Sequence, residues 1–244
     1  MNFYFDKRML YTILIIMAAI SLFTMGTNGI LAILLTLPGV IIAITFHEYA
    51  HAWAADRLGD STPRMQGRLN LNPLSHLDPI GIFMLVFVHI GWGKPVEINP
   101  NNFNHNMSIA KAESIVSAAG PIMNFILAIV FTIVICVIMK FAEYSFLAST
   151  AGTIIMTVIQ YTVIVNIGLG VFNLIPLPPL DGSKIFMNMM PYNMRNWLLE
   201  HQSIFYIIFL ALWITGLAGS VISPIIDLIY KGIFGGISAI FGLF

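Results

Sequence analysis

Six apolar runs, near residues 9–26, 30–55, 112–139, 150–173, 203–222 and 223–243, constrain this chain more than any other feature. Each approaches the roughly 20 residues that a helix needs to cross a bilayer. Lipid offers a backbone no hydrogen bonds, so such runs persist there as helices that satisfy their own amides. The expectation is an all-α polytopic membrane protein of about six transmembrane helices, multi-pass in the cell membrane. Hydrophobic residues make up 58% of the chain and charged ones 9%, which leaves little soluble mass and predicts a single domain over 1–244. The run 223–243 is the least regular, because Asp227 and Lys231 interrupt it.

Eleven basic and eleven acidic residues cancel, and the basic ones are scattered, so nothing resembles a nucleic-acid footprint. Cys136 is alone in the chain and reads as a small buried hydrophobe. With a cytosolic N-terminus, Lys7, Arg8, Arg57, Arg64, Arg68, Lys94, Lys111, Lys184 and Arg195 all gather on or near the cytosolic side, as charge bias in membrane proteins requires. No small-residue cleavage pattern follows the first apolar run, which therefore reads as an uncleaved span. The stretch 80–90 is too short to cross, and a turn-rich Gly91-Trp92-Gly93-Lys94-Pro95 and an alternating Val96-Glu97-Ile98 follow it. That pattern predicts a small membrane-associated β-hairpin or re-entrant segment.

Within the second run stands His47-Glu48-Tyr49-Ala50-His51. On a helix, His51 lies about 40° around and about 6 Å along from His47, and Glu48 falls in the same sector. One face thus offers two imidazoles to a Zn²⁺ ion and a carboxylate to its water, which is the donor set of a hydrolytic site. An ionisable residue at the centre of a bilayer costs about 2.5–3.5 kcal/mol on insertion scales, so this cluster in an apolar run marks function. Because the run heads toward the cytosol, the motif is expected two to three turns below that surface.

A hydrolytic zinc site takes a third protein ligand and leaves a position for water. Asp56, Asp60 and Asp78 lie in a polar segment, where solvated helix-end and turn roles are the ordinary expectation. Asp181 follows Asn173-Leu174-Ile175-Pro176-Leu177-Pro178-Pro179-Leu180 directly after an apolar run. Prolines cannot continue the helix, and their broken backbone is tolerated at membrane depth where it lines a cavity. Asp181 is the favoured third ligand; the alternative is a capping residue ahead of Gly182. Asn124 and Asn173 are candidates for holding substrate backbone or an oxyanion, against a purely interhelical role.

Together these residues resemble the site-2 protease family of intramembrane zinc metalloproteases. The resemblance rests on Phe46-His47-Glu48-Tyr49-Ala50-His51, on Ala119-Gly120-Pro121-Ile122-Met123-Asn124, and on Asn173 to Gly182 with its Leu180-Asp181-Gly182 core. The segment from Gly67 to Gly81, with Asn70, Asn72-Pro73 and Asp78-Pro79, adds to it. The resemblance implies one zinc ion on His47, His51 and Asp181, Glu48 as the base, and a catalytic core over about 30–190. It implies transmembrane protein substrates cut within or near their spans, as in regulated intramembrane proteolysis. No loop is long enough for a PDZ or CBS domain, so the expectation is a minimal member. Two other classes share the ionisable cluster: a divalent-metal transporter, which would want a repeat architecture, and a non-proteolytic zinc scaffold, which would need no base.

Overall fold

The structure is a computed structural model that describes residues 7–88 and 91–243. Its helices are α1 (Lys7–Arg57), α2 (Thr62–Met65), α3 (Pro73–His76), α4 (Pro79–Val88), α5 (Ile109–Phe141), α6 (Tyr144–Leu147), α7 (Thr150–Asn173), α8 (Asp181–Met189), α9 (Tyr192–Glu200), α10 (Gln202–Ile214) and α11 (Leu217–Ile240). α1 is two helical stretches joined at Gly26, whose φ of 61° a glycine adopts without a side-chain penalty. Serine hydroxyls open two long helices: Ser108 Oγ accepts from the Lys111 amide, and Ser149 Oγ from that of Gly152.

Four segments of the described residues are long and apolar enough to cross a membrane: Gly29–Arg57, Ile109–Phe141, Thr150–Asn173 and Leu217–Phe241. The protein is a mostly helical, multi-pass membrane protein. α1, α5 and α7 pack mutually. At Gly39 a Cβ would lie 2.8 Å from Thr162 Cα, so the missing side chain lets α1 and α7 touch backbone to backbone. Ala128, Ile135, Val163 and Ile167 fill the α5–α7 seam, and α11 lays Ile226, Ile229 and Ile233 against it. A second cluster, Ala54, Ala55, Phe103, Ala112 and Val116, fastens the end of α1 to the start of α5.

Two expectations need correction. Of the six spans expected, four are found among the described residues, and the run 9–26 forms the helical stretch of α1 ahead of Gly26. The runs 203–222 and 223–243 divide at Gly216, in the left-handed conformation at φ 74°, so α10 is only 13 residues and α11 takes the rest. Pro224, the apparent break, lies inside α11, because neighbouring helices and local adjustment tolerate a proline within a membrane helix. Cys136 is free and buried, as its surroundings predict.

The second correction concerns 80–98. Among the described residues there is no β-strand, only an isolated bridge between Leu77 and Gly93. The first half is α4, opened by Asp78, whose Oδ1 accepts from the amides of Ile80 and Gly81 at 2.8 Å. The second half, from Gly93 to Asn99, joins no strand and is held by side chains together with one main-chain hydrogen bond. Lys94 N–H donates to the His76 carbonyl at 2.7 Å, and the Arg68 guanidinium donates to the Lys94 carbonyl. Val96 N–H donates to Glu48 Oε2 at 3.2 Å, and Asn99 N–H to Asp60 Oδ2 at 2.6 Å.

Asp60, expected to be solvated, is fully buried as the hub of this segment. Burial pushes its carboxyl up, yet donors from Thr62, Asn99 and Asn102 outweigh it and hold the group below its usual value. His76 is fully buried too, and burial pushes its imidazole down. His89 lies outside the described residues.

Candidate active site

α1 presents His47 and His51 on one face, as helical spacing requires, with ring centroids 4.6 Å apart at 86°. Both are buried. The His51 Nδ1–H donates to the Val116 carbonyl at 2.7 Å, an acceptor that leaves no choice of tautomer. His47 Nδ1–H donates to Asn124 Oδ1 at 2.7 Å. The amide is oriented by its own donors, since Asn124 Nδ2 donates to Ala43 O at 3.1 Å and to Asn166 Oδ1 at 3.0 Å. In neutral rings, each Nε2 is then a bare lone pair.

Those two lone pairs face each other at 3.0 Å. α8 begins at Asp181, whose Oδ2 lies 3.1 Å from His47 Nε2 and 3.2 Å from His51 Nε2. Asp181 is the first residue of α8, and its carboxylate pairs with both imidazoles. Gly182 permits this placement, because a Cβ there would run into the Leu174 carbonyl at the end of α7. Three acceptor atoms thus converge with no proton between them, an arrangement that repels itself until a cation sits among them. Their near-equal spacing matches tetrahedral zinc, whose ligands at about 2.0–2.2 Å stand roughly 3.3 Å apart. His47, His51 and Asp181 can hold a metal ion.

The site opens on a cavity of about 990 Å³ lined mainly by apolar residues of α1, α7 and α11. Glu48 lines it beside both histidines. Asn173 also lines it and donates to the Leu169 carbonyl of its own helix at 3.0 Å. Asn124 does not: it is fully buried behind His47 with both amide hydrogens and its oxygen engaged, so it is not placed to meet an oxyanion. Gly120, which reads from sequence as a packing residue, lies against the two imidazoles, since a Cβ there would sit 2.5 Å from His51 Nε2 and 2.6 Å from His47 Cε1. Its signals in the sequence are those of a small residue in an apolar helix and of its place in the Ala119–Asn124 motif that carries the family resemblance.

A family model described as peptidase family M50 matches residues 35–216, a span that contains this whole cluster. The chain belongs to peptidase family M50. This M50 chain is 34% identical over 202 residues to "Putative zinc metalloprotease YwhC" of Bacillus subtilis (strain 168), an overlap of 83% of this chain and 90% of that one. It is 30% identical over 152 residues to "Putative zinc metalloprotease Rip2" of Mycolicibacterium smegmatis, covering 61% of this chain and 54% of that relative. The protein of the same name in Mycobacterium tuberculosis is 28% identical over 152 residues. No solved structure matches the chain significantly. This M50 member is a zinc metalloprotease of a membrane-embedded, site-2 protease family.

Proposed function

We propose that this metalloprotease is an intramembrane endopeptidase that cuts membrane-protein substrates within or near a transmembrane segment, as one step of regulated proteolysis. The cavity carries the reading. From Gly29 to Glu48 its α1 wall rises about 28 Å, close to the roughly 30 Å hydrocarbon thickness, and it ends on the histidine pair. An apolar trough of that length suits a spanning helix of a substrate.

His47, His51 and Asp181 hold the zinc in this scheme, and the chemistry a bound zinc supplies is Lewis acidity toward a carbonyl and a water. Glu48 takes the proton of the attacking water and passes it to the leaving amine. The Val96 amide keeps the Glu48 carboxylate turned toward the cavity. The segment from Gly93 to Asn99 is held in place by Arg68, the His76 carbonyl, Glu48 and Asp60, and Gly93, Pro95 and Val96 line the cavity where an unwound substrate chain would lie. Asn173 contacts that substrate from the α7 wall. The N-terminus lies in the cytosol and the site opens toward it, a reading supported by the basic residues on that side.

Asn124 acts as a positioning residue for His47. Asn124→Leu should weaken zinc binding about 10–100-fold, the usual effect of removing the partner of a ligating imidazole. Asn124→Asp, which keeps an oxygen for His47 Nδ1–H, should lose less. Competition against a chelator measures both, and equal affinities for parent and Leu variant would remove the role.

The test of the proposed function is the position of the cut. The zinc-loaded protein in liposomes is given a single-span substrate, and the products are mapped by mass spectrometry. Termini inside or bordering the apolar segment are expected. Termini confined to a distant soluble domain would overturn the proposal while leaving the metalloprotease assignment intact.

A further inference from the structure

Among the described residues, and apart from the histidines, the cavity is lined by one basic residue, Lys184, on α8 one turn beyond Asp181. Helix geometry sets the two side chains about 5–6 Å apart at Cβ, so Lys184 stands at the end of the cavity where the reaction occurs. It is exposed, and among the described residues it forms no ion pair. The acidic groups that could neutralise it are engaged. Asp181 faces the two imidazoles, Glu48 accepts from Val96 N–H, and Glu113 on α5 receives Arg195 and Asn188. A cation with no partner of its own at the end of an apolar trough is available to a carboxylate that arrives with the ligand, and such charge complementarity sets specificity.

We propose that Lys184 is a specificity-determining residue that receives a carboxylate side chain of the substrate, an aspartate or glutamate at the end of the apolar segment. The lysine stem adds about 6 Å to the helical offset from Asp181, and an extended chain advances about 3.3 Å per residue, so the acidic residue lies within about three positions of the scissile bond. This rests on the intramembrane protease reading and deepens it.

The experiment uses two single-span substrates that differ only by Asp or Lys at that position, in zwitterionic phosphatidylcholine vesicles. The parent should favour the Asp substrate by about tenfold in kcat/KM, mostly through KM. Lys184→Gln should level the two, and Lys184→Glu should reverse the order. Lys111→Glu, an equal charge change at an exposed site on α5, should leave the ratio as in the parent. Zinc content and melting temperature equal to the parent show that the variants fold. Robust cutting of both substrates at equal rates, or a preference that survives Lys184→Gln, overturns the subsite and spares the protease. An effect of Lys184→Glu that follows added anionic lipid rather than substrate charge assigns the lysine to a headgroup and likewise overturns it. A parent that cuts neither substrate defeats the protease reading and the subsite with it.

Discussion

Glu48→Gln is expected to keep a full complement of zinc and to lose cleavage by about 10²–10⁴-fold, the range of a general base. The amide has the size of the carboxylate and retains an oxygen for the Val96 N–H that now reaches Oε2. The three groups that converge on the metal position are untouched, because Glu48 is not among them. What the amide lacks is a basic oxygen to take a proton from water. Elemental analysis beside single-turnover cleavage separates the outcomes. A variant that loses zinc would mean that the carboxylate supports the ligand set. A variant that cuts near the parental rate would mean that the base lies elsewhere, and the trio His47, His51 and Asp181 would remain as the site.

The histidine pair was readable from sequence because its geometry is local: two residues four apart on one helix share a face whatever the rest of the chain does. Asp181 was readable for another reason. The prolines ahead of it forbid helix at membrane depth, and a break there needs a cavity to face. The structure puts its carboxylate against both imidazoles from 134 residues away from His47. Asn124 stood out as a polar residue in an apolar helix, but its direction is set by Ala43 on one helix and Asn166 on another, which no local pattern encodes.

The errors in the fold share a cause. Val96-Glu97-Ile98 alternates as a strand does, yet its partners are the side chains of Glu48 and neighbouring loop residues and not a second strand, so alternation alone predicted the wrong pairing. Asp78, by contrast, has the helix-end role expected of it and caps the start of α4, a short acceptor before a proline being a helix-start signal. The expected boundary between 222 and 223 lies beside Pro224, yet the helix breaks at Gly216, because a proline is tolerated within a helix packed in lipid.

Gly120→Ala is expected to cost both zinc and activity while leaving the helical bundle intact. The added methyl would sit 2.5 Å from His51 Nε2 and 2.6 Å from His47 Cε1, on the edges of the rings that face the metal position. Real Cβ atoms do not approach so closely, so something must move. The rings cannot retreat without releasing Asn124 and the Val116 carbonyl, which hold their opposite nitrogens at 2.7 Å. Nor can α5 retreat cheaply, since Ser117 and Asn124 are buried on either side of Gly120. A displacement of about 1 Å in a reacting group costs on the order of a hundredfold, which sets the minimum loss expected in kcat/KM. Gly235→Ala is the control: a Cβ there meets nothing within 4 Å, and zinc and activity should be unchanged. Metal content, circular dichroism and cleavage measured on both variants decide the matter. Full zinc and a parental rate in Gly120→Ala would show that the imidazoles have room that the structure denies them, and the tight convergence of the three ligand atoms would have to be abandoned.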